Sequence, residues 1–150
     1  MPGDRRRLNR RGPLVKVMKT TLLEARHRTQ PVLRLIWIIG MLTVILGSLL
    51  PGNSTPIQAL DRLHLNDKVE HAMAYAALAL LPVLHEQRRR QIVLILIVAA
   101  MGILLEFGQL YSPGRSFDTR DMLADIVGII IGAATGLLLR FLQSPQPIRA

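Results

Sequence analysis

Four apolar stretches constrain this chain more than anything else in it. Val32 to Leu50 reads VLRLIWIIGMLTVILGSLL and stops at Pro51-Gly52. Asp67 to Leu84 starts polar and becomes Ala- and Leu-rich, with Pro82 near its far end. Ile92 to Leu105 is unbroken and closes at Glu106, and Met122 to Leu142 carries Arg140 near its end. About 20 apolar residues, rising ~1.5 Å each, cross the ~30 Å hydrocarbon core of a bilayer. In lipid the backbone must satisfy its own polar groups, which makes such segments helices. The expected fold is an all-α integral membrane protein of four transmembrane helices joined by short loops.

The chain has 150 residues, enough for one domain, with half of them hydrophobic and a net charge of +9. That pairing of strong charge with long apolar runs excludes an ordinary soluble domain. Residues 1–31 hold Arg5, Arg6, Arg7, Arg10, Arg11, Lys16, Lys19, Arg26 and Arg28 against only Asp4 and Glu24. No aromatic residue interleaves these charges, so nucleic acid is not the expected partner. Such a tail buries no core of its own and is expected to be disordered or to lie on the bilayer. No small-x-small cleavage site follows the first apolar run, which is therefore read as uncleaved. The expected parts are a basic cytoplasmic tail at 1–31, a membrane domain at 32–142 and a short cytoplasmic tail at 143–150. There is no cysteine, which excludes disulfides and thiolate chemistry.

Basic residues mark the N-terminus, the 85–91 turn (HEQRRRQ) and the Arg140/Arg149 end. With four spans these all fall on one side, which the positive-inside rule makes the cytoplasm, giving an N-in/C-in topology. The opposite, extracytoplasmic end then collects Asp67, Lys68, His71, Tyr75, Glu106, Gln109, Arg115, Asp121 and Asp125 from three separate segments. Asp67, His71 and Tyr75 recur at spacing four, as do Asp121 and Asp125, so each set shares a helix face. Gln109 lies one turn beyond Glu106. Charged groups within a membrane helix are costly and usually face protein or water. Those nine residues are the candidate polar site. Glu70 is expected to point elsewhere and be solvated.

Structural roles compete with chemical ones at each position. Asp67 and Asp121 open helices, where a carboxylate caps free amides and meets the positive end of the macrodipole. Asp125 lies one turn further in and needs a partner, with Lys68 and Arg115 as candidates; a buried ion pair locking two helices would satisfy it. A divalent ion among His71, Glu106, Asp121 and Asp125 is not expected, since no metal-ligand spacing is present and cations lie nearby. Gly128, Gly132 and Gly136 continue the acidic stripe as a small-xxx-small pattern, which allows close helix packing within the chain or at a homo-oligomer seam.

These residues together resemble the VanZ-like membrane proteins: Asp67-Lys68-x-x-His71-x-x-x-Tyr75, then Glu106-x-x-Gln109, Pro113-Gly114-Arg115, Asp121 and Gly128/Gly132. The resemblance covers about residues 33–140. One position departs, because the family commonly has asparagine where this chain has Asp125, which adds a charge to the site. The resemblance implies a bacterial inner-membrane protein, and the namesake is associated with low-level resistance to the glycopeptide teicoplanin. It implies no cofactor and does not decide whether the protein is an enzyme. The mixed charge of the site suits an anionic, hydroxyl-rich envelope ligand, such as a lipid-linked cell-wall intermediate or a glycopeptide. Membrane lipids are the other expected partners. A small proton-coupled transporter and a structural subunit of a membrane complex are the alternative readings.

Overall fold

The computed structural model describes residues 12–61 and 66–143, and every regular element among them is an α-helix. In chain order these are α1 (Gly12–Leu49), α2 (Thr55–Asp61), α3 (Asp67–His85), α4 (Arg88–Gln109) and α5 (Thr119–Gln143). The chain divides into two units, residues 1–35 and 36–150. Among its described residues the first unit holds the N-terminal part of α1. That helix starts at Gly12, well before the apolar run at Val32. Leu, Lys, Glu, Ala and Arg between them are good helix formers, so the backbone coils where composition is too polar for lipid. Residues 1–11 of the basic tail and 144–150 of the C-terminal tail lie outside the described residues.

Among the described residues three segments are long and apolar enough to cross a membrane: Thr29–Leu49, Arg88–Gln109 and Thr119–Gln143. Large aliphatic side chains point outward on all of them, among them Leu46, Leu96, Leu104, Ile130 and Leu138. A surface so continuously apolar suits lipid rather than water, and this is a membrane protein. At 19 residues α3 is nearly as long, but its first turn carries Asp67, Lys68 and Glu70. It can carry them because it sits inside the bundle, packed lengthwise on α5 and also against α4, which itself touches α5.

Small residues make the α3–α5 contact. A Cβ on Gly128 would collide with the Ala72 carbonyl, and one on Gly132 with the Ala76 carbonyl, with the carbonyl carbons at 2.9 and 2.8 Å. The two helices run in the same direction, so each four-residue step on one meets the equivalent step on the other. The glycine stripe is thus used within the chain, as close backbone approach requires. Below it the core comprises Tyr75, Leu78, Ala79, Val98, Met101, Leu105 and Ile129, with Trp37, Met41, Val44 and Ile45 of α1 packed against it.

The connections are tighter than hydropathy indicates. Only Glu86 and Gln87 separate α3 from α4, because Arg88, Arg89 and Arg90 already form the first turn of α4. Gln91 is buried there and donates its amide to the Val83 and Glu86 carbonyls at 3.0 and 2.6 Å, while Arg140 Nη1 reaches Val83 O at 3.0 Å. The carbonyls that end α3 are satisfied this way. At the other end two Pro-Gly turns meet. The Gly52 amide donates to Pro113 O at 3.1 Å, and a Cβ on Gly52 would lie 2.8 Å from Gly114 O. Gly114 itself has φ +75°, which favours glycine. The short α2 follows the Pro51-Gly52 turn, and residues 62–65 after it lie outside the described residues.

Candidate functional site

The polar residues expected to converge do so, in two groups. The first is a hub around Lys68, in the first turn of α3. Its ammonium bonds Asp118 Oδ2 at 2.8 Å, Asp67 Oδ2 at 3.3 Å and Asp121 Oδ1 at closer range. Asp118 lies just before α5 and caps it, accepting the Arg120 amide at 2.8 Å on its other oxygen. The Lys68 ammonium first, and the Arg120 amide second, hold its carboxyl below the usual aspartate range. Glu106, fully buried on α4, accepts the Asp118 backbone amide at 3.0 Å. Three elements are thus clasped at one level: α3, the end of α4 and the start of α5.

One turn deeper lies the second group. His71 Nδ1 is 2.8 Å from Asp125 Oδ1, and both side chains are largely buried. The partner of Asp125 is therefore His71, rather than Lys68 or Arg115. Because α3 and α5 run in parallel, Lys68 is level with Asp121 and His71 with Asp125. Tyr75, one turn further, is buried and lies parallel to the His71 ring with centroids 6.4 Å apart. Asp125 Oδ2 is buried beside the Tyr75 hydroxyl. It faces Gly102 of α4 together with the Tyr75 hydroxyl, since a Cβ there would lie 2.8 Å from Oδ2 and 3.1 Å from the phenol oxygen.

A cleft of about 360 Å³ opens beside this ladder. Its polar end is formed by Asp67, Glu70, His71, Gln109 and Arg115, and its apolar wall by Val44, Ile57, Met73 and Ala74. With Nδ1 committed to Asp125, Nε2 is the His71 atom left for the cleft. Arg115 is anchored from behind, reaching the Gly47 carbonyl of α1 and the Leu50 carbonyl just after it at 3.4 and 3.5 Å. Ser112 Oγ holds Leu49 O at 3.0 Å alongside. Glu70 is half-buried and lines the cleft, so it is not a solvated bystander. Thr43 and Ser48, polar residues near the C-terminal end of α1, also line it.

The ladder can hold charge and move a proton at His71. Asp67, His71 and Asp121 each place a ligand atom within 4.8 Å of the others, a spacing a metal ion can use. The Lys68 ammonium already bonds two of them, and its positive charge opposes a second cation there. Asp118 was not singled out from the sequence. Its signal was legible: an aspartate directly before a helix, two residues ahead of the amide it accepts. Gly102, inside an apolar run, carried no signal at all.

The VanZ/LLP1 family model matches residues 28–140. The chain belongs to this family. The match takes in the hub, the ladder and the cleft, and every position on which the resemblance was drawn from the sequence. No curated protein and no solved structure matches the chain.

Proposed function

We propose that this VanZ/LLP1 protein is a four-span protein of the bacterial inner membrane, N-in and C-in, whose extracytoplasmic cleft binds or modifies an envelope amphiphile. The observation that carries this reading is the composition of the cleft. Arg115 and His71 at one end suit phosphate or carboxylate, Asp67 and Glu70 suit hydroxyls or amines, and Val44, Ile57, Met73 and Ala74 suit a hydrocarbon tail. A lipid-linked cell-wall intermediate has all three parts, and altered glycopeptide sensitivity is the phenotype that would follow.

The hub has a different role in this reading. Lys68 with Asp118 and Asp121 is a lock between α3 and α5, and the cleft residues are the ligand site. Breaking the pair leaves the buried Asp121 carboxylate uncompensated, at less than the cost of a fully buried pair because Lys68 is partly exposed, while neutralising both partners is often harmless. The test pairs folded yield in detergent with teicoplanin sensitivity in cells. Lys68→Met should lose yield, and Lys68→Met with Asp121→Asn should regain much of it. Arg115→Met and His71→Ala should fold and lose the phenotype. If both complement fully at equal membrane yield, the cleft is not the site.

A further inference from the structure

A second groove runs along the other flank of α3, sharing Met73 with the cleft. It measures about 470 Å³ and lies between α3 and α5. Ala72, Ala76 and Ala124 give it a shallow floor, and Leu123, Val127 and Ile131 form its α5 side. From Arg120 to Ile131 it covers about 16 Å along the helix axis, close to half of the ~30 Å hydrocarbon core and hence to one leaflet. Neighbouring Val69, Met73, Leu123, Val127 and Ile131 are all exposed, so this flank belongs to the lipid-facing surface.

The mouth of the groove is zwitterionic. Arg120 lines it, is exposed, and its guanidinium has no hydrogen bond or ion pair among the described residues. Lys68 lines it too, but its ammonium is surrounded by Asp67, Asp118 and Asp121, three carboxylates for one positive charge. Asp67 and Asp118, which bond Lys68 without lining the groove themselves, remain partly exposed, their side chains at 54% and 35%, and Asp67 also lines the cleft. The mouth thus combines a guanidinium that makes no hydrogen bond among the described residues with an excess of negative charge around Lys68. A purely anionic headgroup would be attracted by one and repelled by the other. A headgroup with a phosphate and a primary ammonium matches both.

We propose that the α3–α5 groove is a lipid site, holding one acyl chain of an aminophospholipid with its phosphate on Arg120 and its ammonium on the carboxylates around Lys68. The ammonium N–H groups donate to Asp67 and Asp118, which a trimethylated headgroup cannot do. The guanidinium donates to the phosphate as a fork.

The test is native mass spectrometry of the full chain in detergent, with phosphatidylethanolamine, phosphatidylcholine and phosphatidylglycerol of identical acyl chains added separately. Phosphatidylethanolamine should be retained about fivefold better than either of the others, the worth of one net hydrogen bond. Arg120→Gln, at an exposed position, should lower retention of all three lipids, whose phosphate it holds, without loss of fold, and Ala124→Phe should reduce retention by filling the groove. Equal retention of the ethanolamine and choline lipids would overturn the proposal, because the headgroup would not be read. So would stronger retention of phosphatidylglycerol, or undiminished lipid retention in Arg120→Gln.

Discussion

Trp37 supplies the hydrogen bond that Pro82 takes away. Pro82 lies inside α3 and has no N–H to donate to the Leu78 carbonyl one turn earlier. The Trp37 indole N–H donates to that carbonyl instead, at 2.8 Å, from α1. A membrane helix tolerates proline when a neighbour satisfies the freed group in this way. Trp37→Phe should therefore destabilise the bundle by about 1 kcal/mol. Pro82→Ala restores the intrahelical donor, so Trp37→Phe should cost less in that background. A double-mutant cycle of thermal denaturation in detergent measures the coupling, and strict additivity would contradict the assignment.

The glycine ridge gives a graded expectation. Gly132 meets the Ala76 backbone, which cannot yield, whereas Gly136 meets the Val83 side chain at 2.7 Å. Gly132→Leu should abolish folded yield, and Gly136→Ala should cost about 1–3 kcal/mol, the usual range for overpacking. Equal detergent stability of Gly132→Leu and the unaltered chain would show that this face is not packed.

The Asp118 clasp sets an acid limit. Its carboxyl is held below the ordinary value of 3.8 in the folded protein, chiefly by Lys68. A depressed folded pKa gives stability that is present above the unfolded value and lost as pH falls through the folded one. Melting temperature should therefore fall as pH drops below about 4, and Asp118→Asn should flatten that part of the profile. An unchanged slope in the variant would assign the acid sensitivity to other groups.

Much of this was legible in the residues, and the reasons differ by element. Asp121 and Asp125 at spacing four, with Glu106 and Gln109 one turn apart, fixed which faces turn inward, because helical period and the cost of buried charge act locally. The pairing was not local. His71 meets Asp125 only because α3 and α5 run in parallel with glycine contact, which sets their register. Glu70 turned out to line the cleft for the same kind of reason, since α1 and α2 cover a face that the helix alone would leave in solvent. The start of α1 at Gly12 was missed because hydropathy reports what lipid accepts, not where a helix begins.

The proposed sidedness rests on the alternation of basic and polar ends. In intact cells or spheroplasts, Ser112→Cys should react with an impermeant thiol reagent and Arg89→Cys should not. The reverse pattern would place the cleft on the cytoplasmic side.

The most direct measurement is the thermal shift of the purified protein in detergent with a polyprenyl diphosphate. A ligand bound only by the folded state at about 100 times its Kd adds about 2.7 kcal/mol of stability. The expected result is a rise in melting temperature for the unaltered chain and a shift reduced or lost in Arg115→Met and His71→Ala. Lys68→Met with Asp121→Asn, altered in the lock but not in the cleft, should keep the shift. No shift in the unaltered chain, or an undiminished one in Arg115→Met and His71→Ala, would contradict the assignment of the cleft as the ligand site.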